Sequence, residues 1–298
     1  MKKNLKIGIT YGDPAGIGPE ILRKVLKTWK YNFTPYIIGK KDYLSFKPGY
    51  PSDLTGKLSH KYLRESAQLG IDKKIKALIT GPVSKEMINK AGVDFSGQTD
   101  ELARFCKVSP DEVIMLFSAN DLRLALFTRH IPLKDVPAKI NQKKLCKFLI
   151  LLNEEFKKWF KIKAPKIAVL GLNPHASENS LFGKEEKNII IPVIKKLNKS
   201  GLIISGPLSP DGTLAKAGQN FLLKKKQKYD VYVSFYHDQG LPMFKAVAGL
   251  NGVNITLGLP FLRVSVDHGT AFDIAGKNIA SPQGLISAIK FVENIISQ

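Results

Sequence analysis

Cysteine is nearly missing from this chain of 298 residues: Cys106 and Cys146 are the only two, and they fit no metal-binding or redox spacing. A reducing cytoplasm is therefore the expected compartment. Arginine is scarce as well. Arg23, Arg64, Arg104, Arg123, Arg129 and Arg263 are the only six, set against forty lysines. No apolar run approaches the roughly 18–20 residues that cross a bilayer. The chain opens directly into a strand-like segment, with no apolar leader and no small-residue cleavage site. We expect neither a membrane span nor secretion. Internal repeats and low-complexity segments are absent.

The formal net charge is +21, which raises the question of nucleic acid. Its distribution argues against it. From residue 229 onward four cations (Lys245, Arg263, Lys277, Lys290) face five acids (Asp230, Asp238, Asp267, Asp273, Glu293). The excess lies earlier, in scattered pairs and in helix-borne runs such as Lys157-Lys158 and Lys224-Lys225-Lys226. With no aromatic RNA-binding motif, finger spacing or recognition-helix pattern, a lysine-rich solvated surface explains it better.

What is present is an alternation of strand-like and helical segments. Apolar runs at 6–10, 36–39, 76–80, 166–172, 203–205, 231–235 and 253–257 read as strands, and a further apolar run ends at Asp267-His268-Gly269. Helical periodicity follows at 84–91, 140–160, 185–198, 214–226 and 282–296. Residues 113–118 and 122–128 read as an antiparallel pair around an Ala119-Asn120-Asp121 turn. Residues 46–58 read as a connection, with a helix starting near 65. This pattern is that of an α/β protein with a largely parallel sheet. The Gly-rich turn at 11–20 opens a helix, but its glycines do not have G-x-G-x-x-G offsets and no P-loop Lys-Ser/Thr follows.

Three histidines share one setting. His130, His175 and His237 each follow a β-rich segment and lie in a turn with Gly or Pro nearby. One such histidine is more often structural. Three in one kind of place point to a shared centre, and three imidazoles with an open position are a common ligand set for a catalytic divalent ion. His268 has a similar setting, as a fourth member or a neighbour of the ligands, while His60 reads as a surface residue. Lys245, Arg263, Asn254 and Thr99 (read as the cap of a helix) are candidate contacts for an anionic substrate. Each has a bland alternative, and the residues alone stop short of a substrate.

Longer motifs carry the reading further. Thr10 to Glu20 (TYGDPAGIGPE), Gly81-Pro82-Val83-Ser84-Lys85, Asn173-Pro174-His175-Ala176, Tyr236 to Pro242 (YHDQGLP) and Asn254 to Pro260 (NITLGLP) together resemble the 4-hydroxythreonine-4-phosphate dehydrogenase family of vitamin B6 biosynthesis. The resemblance runs from about residue 7 to about 282. It implies an isocitrate/isopropylmalate-dehydrogenase-like fold, two α/β/α lobes with a cleft between them, here expected as residues 1–93 plus 275–298 and residues 94–274. It implies a homodimer that completes each site across its interface. His130, His175 and His237 would hold a divalent metal (Zn, Mg or Co), one of them reaching in from the partner subunit. Gln98, Thr99, Lys245, Asn254 and Arg263 would contact the substrate, with Asp211 and His268 as further candidates. NAD or NADP would take the hydride from 4-phosphooxy-L-threonine, and the 3-oxo acid would then lose its carboxylate. In one position the chain departs from the family: Gln98 stands where G-H-T-E has its histidine. A paralogous dehydrogenase of a four-carbon sugar acid such as threonate 4-phosphate is the alternative.

Overall fold

A computed structural model describes residues 5–39 and 45–298. The chain divides into two compact units, residues 1–113 with 253–298 and residues 114–252. These divisions fall at 113/114 and 252/253, whereas the sequence led us to expect 93/94 and 274/275. Gln98, Thr99, Asn254, Arg263 and His268 therefore belong to the first unit, not the second.

The first unit begins with β1 (Lys6–Thr10), α1 (Gly18–Lys27), β2 (Thr34–Ile38), α2 (Asp53–Ile71), β3 (Ala77–Thr80), α3 (Lys85–Lys90) and α4 (Gln98–Phe105). Helix α2 starts well before the expected position. Ser52 caps it: its hydroxyl accepts from the Thr55 N–H while the Thr55 hydroxyl accepts from the Ser52 N–H. The polar, glycine-bearing first turns hid the helix from periodicity. Gly56 is there for contact, since a Cβ would fall 2.1 Å from the Met87 carbonyl oxygen on α3.

The second unit contains β4 (Ile114–Ala119), β5 (Leu122–Leu126), α5 (Val136–Lys139), α6 (Gln142–Phe160), β6 (Lys166–Leu170), α7 (Ile191–Lys199), β7 (Ile203–Leu208), α8 (Pro210–Leu222), β8 (Val231–Ser234) and α9 (His237–Ala248). The remaining elements, β9 (Val253–Leu257), β10 (Leu262–Val266) and α10 (Gln283–Ser297), belong to the first unit.

In the first unit the strands run β2-β1-β3-β10-β9, all parallel except β9, which is antiparallel to β10. In the second they run β4-β5-β8-β6-β7, with only β4 antiparallel. The mainly parallel sheet read from the sequence is what forms. Parallel strands need cover on both faces. In the first unit Leu78 packs with Tyr62 and Ala67 of α2 and Leu102 and Ala103 of α4. Alternation turns Ile79 and Val264 to the other face, where α10 lies against β3, β9 and β10. The second unit packs Leu124, Leu126, Leu170 and Tyr232 of its strands against Leu241 and Phe244 of α9. Among the described residues no helix is long and apolar enough to cross a membrane.

Candidate functional site

Two clusters form, one in each unit; that of the first lies on a face of the sheet, and that of the second lies just beyond the carboxyl ends of parallel strands, where open α/β sheets bind ligands.

In the first unit the centre is Arg263. It lies within β10 between Leu262 and Val264, so alternation turns it to the α4 side of the sheet. Register places Arg263 beside Thr256 of β9, and places Ser265 beside both Asn254 of β9 and Thr80 of β3. One sheet face thus carries Thr80, Asn254, Thr256, Arg263 and Ser265. The guanidinium is 2% exposed. Its Nε and Nη2 donate to Thr80 Oγ1 at 3.2 and 2.8 Å, Nη1 to Thr256 Oγ1 at 3.1 Å, and Nη2 to Gln98 Oε1 at 3.1 Å. Every acceptor is a neutral oxygen, and among the described residues no carboxylate pairs with it. Burial pushes the group down to about 9, which leaves it charged at neutral pH.

Gln98 is the first residue of α4, and its other amide end donates to the Gly81 carbonyl at 3.1 Å. The helix is capped by Gly97, so Thr99 is not the cap expected from the sequence. The Thr99 hydroxyl instead meets Thr256 Oγ1 at 3.3 Å. Asn254 Oδ1 is buried with no hydrogen-bond partner among the described residues. Exposed Lys85, which the sequence reading left unassigned, has its ammonium 3.9 Å from where a Cβ on Gly97 would lie. His268 packs against Gly284 at the start of α10, and its Nδ1 faces the Gly269 carbonyl at 3.1 Å. Among the described residues none of its hydrogen bonds joins the Arg263 cluster.

The second cluster lies beyond β5, β6 and β8. The pairing of β5 with β8 continues past both strands: the Phe127 and Thr128 N–H groups donate to the Ser234 and Phe235 carbonyls, and the Thr128 hydroxyl also donates to Phe235 O. This extension brings His130 and His237 together, with ring centroids 5.5 Å apart. Two imidazoles sharing one ion at about 2.1 Å per nitrogen have centroids roughly 5–6 Å apart, so the spacing suits a shared cation. His237 Nδ1 is held by Asp238 Oδ1 at 2.6 Å, which leaves Nε2 as the free donor.

His175 stands apart from that pair. It begins a run of six residues, His175 to Ser180, with φ between 40° and 78° and no glycine among them. Its Nδ1 lies 3.9 Å from Asp211 Oδ2. The Ser209 hydroxyl, the Gly212 N–H and the nearby imidazole hold the Asp211 carboxyl below its ordinary range. His175, Asp211, Tyr236, Asp238 and Met243 border a cavity of about 660 Å³. Among the described residues no group of three or more His, Cys, Asp or Glu side chains is gathered around one point. The expected set of three is thus present as a facing pair plus one separate histidine. Donor chemistry fits a divalent ion, since His175 and His237 each have a carboxylate beside Nδ1. The cavity's volume is within the range of cofactor pockets, and Leu214, Pro242 and Met243 give it an apolar wall. Lys245 is exposed in the last turn of α9.

His60 is not the surface residue it resembled in the sequence. Its Nε2 contacts the buried Glu101 carboxylate of α4, which Arg104 also engages. The hydroxyls of Thr80 and Thr256 were missed altogether. The available signal was a lone arginine inside an apolar strand, which must bury against polar partners on neighbouring strands.

Residues 20–292 match the family described as pyridoxal phosphate biosynthetic protein PdxA. A 4-hydroxythreonine-4-phosphate dehydrogenase of Sulfurihydrogenibium sp. is 41% identical, with 96% of this chain and 97% of that protein aligned. The crystal structure of 4-hydroxythreonine-4-phosphate dehydrogenase from Klebsiella pneumoniae superposes with a TM-score of 0.80 at 29% identity, covering 98% of this chain and 99% of that one. A β-decarboxylating dehydrogenase from Thermococcus kodakarensis, at 16% identity, 98% and 84% coverage and a TM-score of 0.54, shares the fold alone.

Proposed function

The chain belongs to the PdxA family of pyridoxal phosphate biosynthetic proteins, and from that premise we propose that it is a 4-hydroxythreonine-4-phosphate dehydrogenase. Its substrate is 4-phosphooxy-L-threonine. The C3 carbon gives up hydride and its hydroxyl gives up a proton, yielding 2-amino-3-oxo-4-phosphooxybutanoate. Loss of CO2 then leaves 3-amino-2-oxopropyl phosphate. The observation that carries the reading is Arg263, a buried cation with only neutral partners. A full charge in such a place is costly unless an anion meets it, and a phosphate dianion can accept a charge-assisted hydrogen bond from the guanidinium.

In this reading Arg263, Gln98, Thr99, Asn254 and Lys245 contact the substrate and fix its phosphate, which supplies orientation to the reacting carbon. His130, His175 and His237 hold the divalent ion (Zn, Mg or Co), with a homodimer as the assembly that completes the set. Asp238 keeps His237 in the tautomer that offers Nε2, and Asp211 stands 3.9 Å from His175 Nδ1 as the carboxylate nearest that ring. When bound, the ion supplies Lewis-acid polarisation at the oxidised carbon's oxygen, and NAD or NADP supplies the hydride acceptor. The cavity beside His175 is the proposed seat of the nicotinamide, with Leu214, Pro242 and Met243 against a ring face. The enzyme works in the cytoplasm.

The alternative substrate is a four-carbon sugar acid phosphate such as threonate 4-phosphate, and the amide at Gln98 in place of an imidazole is what favours it. An assay of reduced nicotinamide formation with each phosphate decides between them. We expect turnover of 4-phosphooxy-L-threonine that a chelator abolishes and added divalent ion restores. Turnover of the sugar acid alone would overturn the primary reading.

A further inference from the structure

We propose that Thr80 and Gln98 are positioning residues that hold Arg263 through neutral oxygens only, and so reserve its whole charge for a phosphate dianion. The inference rests on the reading that the substrate phosphate meets Arg263. It goes beyond it by assigning Thr80, which touches no substrate in that reading, and by moving Gln98 from simple contact to control of the arginine.

The geometry is specific about both residues. Thr80 Oγ1 accepts from Nε and from Nη2, which fixes the plane of the guanidinium along that edge. Gln98 Oε1 accepts the second Nη2 hydrogen, and because an arginine only donates, the amide is compelled to present oxygen there. The amide nitrogen then donates to Gly81 O, and the Gly81 N–H donates to Thr10 Oγ1 at 3.0 Å. A continuous chain of hydrogen bonds therefore ties the turns after β1 and β3 to the guanidinium. Thr256 Oγ1 takes Nη1. Of five donor hydrogens four are used, and one on Nη1 is left.

A carboxylate at any of these acceptor positions would also satisfy the donors, and more strongly. It would also cancel the charge. Neutral acceptors orient the group without neutralising it, at a cost in the stability of the free protein. The arrangement is thus suited to recognition of an anion, not to internal stability, and Thr80 at 0% exposure has no solvent-facing purpose that competes with this one.

The test uses the full chain, free of metal and nucleotide, with inorganic phosphate as the probe. Melting temperature and calorimetric titration are read together at neutral pH. In the unsubstituted protein, phosphate raises the melting temperature and the rise grows with concentration. Gln98→Glu places a carboxylate on Nη2. The free protein should then melt higher, while phosphate affinity falls by roughly tenfold or more through loss of the charge-assisted contact. The gain in melting temperature is present above a carboxylate pKa of about 4.3 and disappears as pH falls through the lower value the carboxylate takes beside Arg263. Thr80→Val should lower both the melting temperature and the phosphate affinity, and Thr80→Ser should restore both. Opposite movement of stability and affinity in Gln98→Glu is a result that a merely structural glutamine would not give. A Gln98→Glu protein that binds phosphate as the parent does overturns the inference, as does a Thr80→Val protein of normal affinity. If the parent itself shows no phosphate response, the placement of phosphate at Arg263 falls, and this inference with it.

Discussion

Burial pushes Arg263 down to about 9, whereas in an unfolded chain the same group keeps its proton to a much higher value. Between those values the unfolded state binds more protons, so stability rises with pH across that window. At neutral pH the cost of desolvating the cation is present in full. Arg263→Lys keeps the charge and loses the fork: one ammonium cannot reach Thr80, Thr256 and Gln98 in the same plane. We expect KM to rise by about tenfold or more with kcat changed far less, because orientation of the phosphate is weakened while the reacting end is untouched. A kcat loss of the same size would place Arg263 at the chemistry instead. At this scale the sequence was half legible. Arg263 and Asn254 were visible as polar residues in conspicuous places, and Gln98 through the family motif from which it departs. Thr80 and Thr256 were not, because a threonine in an apolar strand has the same local pattern whether its hydroxyl serves a neighbour or merely fills the sheet.

Elements follow their local codes where packing and propensity agree. Periodicity located α6, β8 and α10 within a few residues, and the turns carrying His130 and His175 lie where the strands before them end. Helix α2 failed that reading because Gly56, Ser59 and Ser66 face inward, and small polar residues on the buried side erase the apolar stripe. Close approach explains Gly56 and gives a test: Gly56→Ala drives a methyl onto the Met87 carbonyl, so α2 and α3 must part. A loss of about 1–3 kcal/mol in denaturant unfolding is expected, the usual cost of overpacking, although alanine is the better helix former. A stabilised variant would show that the two helices do not meet there. The segment His175 to Ser180 marks another limit. Left-handed backbone at six consecutive non-glycine positions costs roughly 1–2 kcal/mol for each residue, and nothing in its composition announces it. Only the surrounding packing, such as the buried Ser177 side chain, imposes such a path.

At the scale of the whole molecule, the division into units differs from the one the motifs suggested. Motifs report chemistry, and residues with related roles were read as one lobe. Contacts report packing, and they assign Gln98, Asn254 and Arg263 to the unit that contains the chain's start. The strongly basic composition has no counterpart in either cluster. The Arg263 group contains a single buried cation and neutral oxygens, and the histidine group is accompanied by Asp211 and Asp238.

Glu20, in the first turn of α1, accepts hydrogen bonds from the N–H groups of Gly276, Asn278 and Ala280 while Lys24 pairs with it. Burial alone would raise its pKa, but the ammonium and the Ala280 and Asn278 N–H groups outweigh it and hold the carboxyl below its ordinary value. During synthesis on the ribosome the three N–H bonds cannot form until residues 276 to 280 have emerged, whereas the Lys24 pair is local to α1. The first unit is made of the two ends of the chain, whereas residues 114–252 are continuous and self-contained in sequence. The part translated in the middle can thus complete its fold while the part translated first is still waiting for its last strands and α10. We therefore expect the usual amino-terminal-first order of folding on the ribosome to be inverted. A polypeptide of residues 114–252 should unfold cooperatively by itself, and one of residues 1–113 should not. Cooperative melting of the amino-terminal piece alone, followed by circular dichroism, would show that the early chain does not depend on its distant end.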